Sequence, residues 1–268
     1  MTFGKNGDFR PKPTEQPAST VGSGLLISGE EEGRQKFKER IRERISQIVD
    51  ENKQGILSSA EPLKKLFDIL TKELIERLNI EGLNLIPKHG SIILAANHQF
   101  GWGDFSIVSR VLESQSDRPW AFVGNSNTFS RIFPEWENDP KFSGRIIPVR
   151  RETQDSSSRI INGSEVVEMA VDFLRKNDDS MLFITPEGAD VNYQSRIGKP
   201  KSGLGRIARM ADALIVPVAI SGDADLDKIK FNLKGEVCKP FSAQNDDKAT
   251  SEEWLNRIIT SDLFGENG

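Results

Sequence analysis

The sequence predicts an α/β fold: a mixed, largely parallel central sheet flanked by helices and preceded by a two-helix N-terminal element. Three observations point there. Short apolar runs bounded by Gly or Pro, at Ser91–Ala96, Trp120–Gly124, Met181–Thr185 and Leu214–Ile220, read as strands buried on both faces. Stretches with apolar residues at helical spacing alternate with them. And 268 residues, 36% hydrophobic and 28% charged, suffice for a sizeable core.

Taken in order, residues 1–30 are rich in Gly, Pro, Ser and Thr and have little periodicity, so a disordered tail is expected. Residues 31–79 are expected to form a helical element and 80–268 an α/β domain. In the first helix Phe37, Ile41, Ile45, Ile48 and Val49 share one face, with Arg34, Lys36, Lys38, Arg40, Arg42 and Arg44 around the rest. Such a basic amphipathic helix packs on the body of the protein, or lies on an anionic membrane surface through residues 34–49. Packing is the favoured reading. A second helix follows Ser58-x-x-Glu61, which matches a capping box, with Pro62 in the first turn and Leu63, Leu66, Phe67, Leu70, Leu74 and Leu78 on one face. Ile80–Pro87 reads as a short extended segment leading through His89-Gly90 into the strand Ser91–Ala96.

That strand ends in Asn97-His98, and Asp104 follows at the start of the helix bearing Ile107, Val108, Val111 and Leu112. One of the two histidines and a carboxylate thus converge on one strand end, where loops carry functional groups on a rigid frame. Beyond Trp120–Gly124, the stretch with Phe129, Ile132, Phe133, Pro134 and Trp136 is an apolar pocket wall or a packed loop. Gly144–Arg151 reads as a strand ending in two arginines, Arg150 and Arg151. A helix capped by Ser164 precedes Met181–Thr185, which ends at Pro186-Glu187-Gly188. Residues Val191–Met210 carry Arg196, Lys199, Lys201, Arg206 and Arg209 and no acidic side chain, a candidate anion site. It is not a P-loop, because no glycine stands five residues before Gly198. Leu204, Ile207, Ala208 and Ala211 form a short helix. The run Leu214–Ile220 is a buried strand whose Pro217 predicts a bulge or an edge position. Lys228–Phe241 is extended, Gln244–Lys248 a linker, and Ser251–Phe264 a closing helix.

Composition excludes several classes. A net charge of −4 and a pI near 5.5 argue against a general nucleic-acid binder. One cysteine, Cys238, permits no internal disulfide framework, and with two histidines it leaves too few ligands for a zinc or redox-metal site. No apolar run approaches bilayer-spanning length, and the N-terminus lacks the apolar core of a signal peptide. A cytoplasmic protein, soluble or peripheral to the inner face of a membrane, is expected.

An alcohol is a poor nucleophile at neutral pH, so its attack on a carbonyl needs a positioned base. Neutral imidazole suits that task, and a carboxylate on its other ring nitrogen holds the tautomer and stabilises the imidazolium. His98 is the candidate base and Asp104 its orienting partner. Four segments then resemble, in order, the motifs of the glycerolphosphate and lysophospholipid acyltransferase family: Asn97-His98 with Asp104 its His-x-x-x-x-Asp, Gly144–Arg150 its Gly-x-Ile-Phe-Ile-x-Arg, Pro186-Glu187-Gly188 the core of its Phe-Pro-Glu-Gly-Thr-Arg, and Ile215–Ala219 with Pro217 its fourth motif.

The resemblance covers roughly residues 80–240. It implies transfer of a fatty acyl group from acyl-CoA or acyl carrier protein, as co-substrate and with no cofactor or metal, to the hydroxyl of a glycerol phosphate or lysophospholipid. It implies that Asn97, Gly144, Arg150, Arg151, Glu187 and Gly188 serve the substrates, with an arginine pairing the acceptor's phosphate. Arg196 and Lys199 join them from the basic run. Five residues separate His98 from Asp104 where the family has four, so the loop bulges by one, which Gly101 and Gly103 permit. Ala189-Asp190 stands where the family has Thr-Arg; either the basic run substitutes or the acceptor differs. The alternative is a catalytically silent lipid-binding or scaffold protein that retains the fold. A serine α/β hydrolase is disfavoured because no Gly-x-Ser-x-Gly elbow is present.

Overall fold

The strand Ile92–Ala96 is buried at every residue, and its alternating side chains feed two cores. Ile92, Leu94 and Ala96 join one hydrophobic cluster, Ile93 and Ala95 the other. The computed structural model describes residues 31–115, 117–125, 129–130, 133, 139, 141–142, 145–149, 163–188, 197–225 and 228–264, with side chains from 36 onward. The expected tail, residues 1–30, lies outside them.

In chain order the described elements are α1 (Glu31–Leu57), α2 (Pro62–Leu74), β1 (Ile75–Glu81), β2 (Ile92–Ala96), α3 (Asp104–Ser114), β3 (Trp120–Asn125), β4 (Ile146–Val149), α4 (Gly163–Lys176), β5 (Met181–Ile184), α5 (Gly203–Ala211), β6 (Leu214–Asp225), β7 (Lys230–Val237) and α6 (Asp247–Ile259). The seven strands form one sheet in the order β1-β7-β6-β2-β5-β3-β4. Every neighbouring pair is parallel except β6 and β7, so the sheet is mixed and largely parallel. Helices α1, α2 and α3 cover one face; α4, α5 and α6 cover the other. No helix among the described residues is long and apolar enough to cross a membrane.

Helix α1 buries the face expected of it: Phe37, Ile41, Ile45, Ile48 and Val49 are at most 3% exposed. They join the cluster built on β2, and Phe37 meets Phe231 of β7 edge to face at 6.4 Å. The apolar face is therefore occupied by the protein's own core.

Several boundaries differ from the expected ones for identifiable reasons. The Ser58/Glu61 capping box does not form. Ser58 Oγ instead donates to the Gly55 carbonyl, the Glu61 amide donates to Ser59 Oγ, and α2 begins at Pro62 with no side-chain cap. Helix α2 stops at Leu74, short of Leu78. The run Ile75–Glu81 pairs in parallel with β7, and Leu78 and Ile80 pack on the core at the two-residue period of a strand, which here overrides the four-residue spacing from Leu74 to Leu78. The sheet therefore begins five residues before the expected boundary at 80, and Leu83–Leu85 is a 3₁₀ turn.

Pro217 does not sit at an edge, since β6 lies between β2 and β7 with Pro217 opposite Ala95, but it does sit at an irregularity: past it the antiparallel register shifts by one residue, from Val218↔Val237 to Ile215↔Phe241. Its carbonyl accepts from the Cys238 amide, on the β7 side and just past Val218↔Val237, the last pair of that ladder. A strand residue's N–H and C=O point the same way, so the missing donor faces the side where the register shifts before pairing resumes at Ile215↔Phe241. Helix α6 begins within the expected linker because Asp246 caps it, accepting from the amides of Lys248 and Ala249.

Because Ile48 is fully buried in the shared cluster, Ile48→Ala is expected to lower global stability by about 2–5 kcal/mol. Urea denaturation followed by both far-UV circular dichroism and tryptophan fluorescence checks this. A loss under about 0.5 kcal/mol, the size of an ordinary surface substitution, makes α1 a detachable appendage.

Candidate active site

Parallel pairing brings the ends of β2, β5 and β6 to one edge of the sheet: Ala95 lies opposite Ile184 on one side, and Ala96 opposite Val218 on the other. The loops leaving β2 and β5 start side by side, at the edge where open α/β sheets place their ligands.

His98 and Asp104 meet there. The imidazole Nδ1 is 2.7 Å from Asp104 Oδ2, the ring side chain 22% exposed and the carboxylate 2%. A substrate can reach the ring but not the acid. Asp104 opens α3 without capping it; its oxygens accept the Phe100 amide at 3.2 Å, within the same loop. Burial holds the Asp104 carboxyl above its ordinary range, opposed by the hydrogen bond and charge of His98 and by the amides of Phe100 and Gln99. As a carboxylate it makes Nδ1 the protonated nitrogen and leaves Nε2 as the basic one.

The one-residue-longer spacing is taken up by a 3₁₀ turn, Gly101–Gly103. Gly101 there has φ +62, and a Cβ on Gly103 would stand 3.1 Å from that of Phe100. Both glycines permit the bulge, as expected from the sequence.

Glu187 binds the two loops together. Its Oε1 accepts the His98 amide at 3.0 Å and its Oε2 the Gly198 amide at 2.8 Å. A Cβ at position 198 would lie 2.4 Å from Oε2, so this approach requires glycine. Burial raises the Glu187 carboxyl above its usual range, and the two amides pull it back. Asn97 acts on the other side, where its side-chain amide donates to the Ile220 carbonyl at 2.8 Å and its carbonyl accepts the Ile220 amide at 2.7 Å, extending the β2–β6 ladder by a side chain. From the opposite face Trp254 Nε1 donates to the Ala95 carbonyl.

These contacts give two of the residues expected against the substrates backbone partners of their own. Asn97, expected against the substrate, is 0% exposed with both amide ends bonded to Ile220, so it supports the strand end instead. Glu187, expected against the acceptor, is 7% exposed with both oxygens on backbone amides, so it positions the His98 loop. Gly188 turns the chain at φ +57 beside it, and Lys199 is exposed just beyond Gly198. Gly144, Arg150, Arg151 and Arg196 lie outside the described residues. Gly198 and Ile220 were not foreseen, and neither could be, since each acts through backbone atoms whose partner is set by the fold. Among the described residues no cluster of three or more His, Cys, Asp or Glu is placed to share a metal ion.

Replacing either support leaves backbone polar groups without a proper partner, the Ile220 amide and carbonyl in one case and the His98 or Gly198 amide in the other, at about 1–3 kcal/mol each. Asn97→Ala is expected to lower stability by about 2–4 kcal/mol by that reckoning. Glu187→Gln turns an amino group toward a backbone donor and is expected to cost about 1–3 kcal/mol. Urea melts of both variants check this, and a neutral Asn97→Ala would deny the amide its structural role.

Comparison with known proteins identifies a family. No curated protein matches the chain. Among solved structures, that of the 1-acyl-sn-glycerophosphate (LPA) acyltransferase PlsC from Thermotoga maritima is similar, at 17% sequence identity and a TM-score of 0.48 over 87% of this chain and 81% of that one. The family model described as Acyltransferase matches residues 77–221, a span that runs from within β1 through most of β6 and includes both His98 and Asp104. With more than half of its length matched, the chain belongs to the acyltransferase family.

Proposed function

We propose that the protein transfers a fatty acyl group from a thioester, acyl-CoA or acyl carrier protein, to the hydroxyl of a glycerol phosphate or lysophospholipid. The observation that carries this is the 2.7 Å contact between a partly exposed imidazole and a buried carboxylate, in a chain of the acyltransferase family.

The acceptor's hydroxyl gives its proton to Nε2 of His98 as its oxygen attacks the thioester carbonyl carbon. The imidazolium is stabilised through Nδ1–H by Asp104. Collapse of the tetrahedral intermediate breaks the C–S bond, and the departing thiolate takes the proton from Nε2, leaving an ester, a thiol and neutral imidazole. The nucleophile is the substrate's own oxygen, so no acyl-enzyme is needed. Cys238 is an unsuitable nucleophile: it is buried, and burial pushes its thiol up to about 12. Support for an anionic acceptor comes from Lys199 and Lys201, both exposed past the Glu187 turn.

With short-chain lysophosphatidic acid and acyl-CoA, His98→Ala is expected to abolish detectable transfer. Asp104→Asn is expected to lower kcat by about 10³- to 10⁴-fold, the cost of the wrong tautomer in the Ser-His-Asp template. Free thiol release checks both. Transfer by His98→Ala at the wild-type rate rules out the base. A wild type that binds lysolipid without releasing thiol favours the lipid-binding alternative.

A further inference from the structure

The supports described so far hold the His98 loop through hydrogen bonds to backbone groups. Its apolar side is held differently. Phe100, whose amide donates to Asp104, is 3% exposed, and its ring meets that of Phe231 edge to face with centroids 5.9 Å apart. The same Phe231 ring lies over the glycine that precedes Asp104: a Cβ at Gly103 would stand 3.4 Å from Phe231 Cδ2 and 3.6 Å from Leu233 Cδ1. One side chain of β7 thus touches both ends of the segment Phe100–Gly103, which takes up the extra residue between base and acid.

Phe231 has a firm seat for that task. It is 1% exposed, and β7 is paired on both sides there, with Ile75 of β1 and Ala224 of β6 opposite it. The loop it touches has only one 3₁₀ turn and a left-handed residue at Gly101, so it depends on such neighbours for its shape. Phe37 of α1 meets the same Phe231 ring at 6.4 Å, and the three rings run from the N-terminal helix to the catalytic loop. Neither Phe37 nor Phe231 falls within residues 77–221, the span that the family model matches.

We propose that Phe231 is a positioning residue for the His98–Asp104 pair, and that through it α1 is part of the support of the active site. The inference rests on the acyl-transfer reading of that site. Shortening the ring leaves space beside Phe100 and Gly103, and the loop relaxes into it. The Phe100 amide and the Asp104 carboxylate then move relative to Nδ1 of His98. A misplacement of about 1 Å in a proton-transferring group slows the chemical step by up to about a hundredfold without weakening substrate binding.

Phe231→Leu tests this, with Ile258→Ala, 0% exposed in the opposite core, as the control for lost packing alone. In thiol-release assays with acyl-CoA and short-chain lysophosphatidic acid, Phe231→Leu is expected to lower kcat about ten- to a hundredfold with KM within about twofold, and Ile258→Ala to change either by under about twofold. Phe37→Leu, which leaves the loop-facing ring in place, is expected to lower kcat in the same direction and to be non-additive with Phe231→Leu. It carries the test if Phe231→Leu does not fold. A second measurement needs no turnover: the chain has two histidines, so the Nδ1 proton of His98 can be followed by NMR. Its resonance is expected far downfield in the wild type and in Ile258→Ala, and shifted or broadened in Phe231→Leu. An unchanged kcat and resonance in Phe231→Leu, or an equal fall in kcat in Ile258→Ala, overturns the proposal and leaves the ring as core filling. The two readings fail separately. A resonance that depends on Phe231 in a wild type that releases no thiol keeps the positioning role and removes acyl transfer, whereas turnover indifferent to Phe231→Leu keeps acyl transfer and removes the positioning role.

Discussion

A carboxylate 2% exposed, 2.7 Å from an imidazole 22% exposed, is the interaction on which the rest of this structure depends. A buried anion is unfavourable unless polar hydrogens surround it. Asp104 gathers the Phe100 amide and His98 Nδ1 from within the six preceding residues. Satisfying the acid and orienting the base are therefore the same act. The tautomer that gives Asp104 its hydrogen bond is also the one with Nε2 free of a proton.

That arrangement holds only if the loop is held from outside as well. A parallel sheet supplies the means, because its strands end together and place successive loops side by side. Glu187 at the end of β5 grips the His98 amide, Asn97 fastens the end of β2 to Ile220 of β6, and Trp254 secures the Ala95 carbonyl from the opposite face. Three side chains, two of them distant in sequence, thus hold the backbone that leads into one imidazole. Groups that touch no substrate in this scheme have as much to do with the geometry of proton transfer as the acid itself.

Much of the fold was legible because burial leaves periodic traces. The five residues of β2, the face Ile41, Ile45 and Ile48 on α1, and Leu63, Leu66, Phe67 and Leu70 on α2 are buried as their spacing required. The errors fell where local signals competed. Leu74 and Leu78 read as one helical face although Leu78 belongs to a strand, and Ser58 with Glu61 resembled a cap that the turn ahead of Pro62 does not use. Pro217 read as a bulge or an edge residue; it stands in the third strand from the edge, and the register shift between Val218↔Val237 and Ile215↔Phe241 is what makes its missing amide harmless.

In the site, the sequence by itself determined the pairing: a histidine at a strand end and an aspartate at the next helix start meet in a hydrogen bond, because the five residues between them suffice to join them and two glycines let the loop bend. It could not determine which polar residues face the substrate and which face the frame. Asn97 and Glu187 carry the same side chains in either role. Their assignment to backbone amides and carbonyls 123 and 89 residues away was decided by the register of β2 between β5 and β6. Such partners leave no local pattern, for a backbone amide is identical at every position and only the tertiary fold selects which one is near.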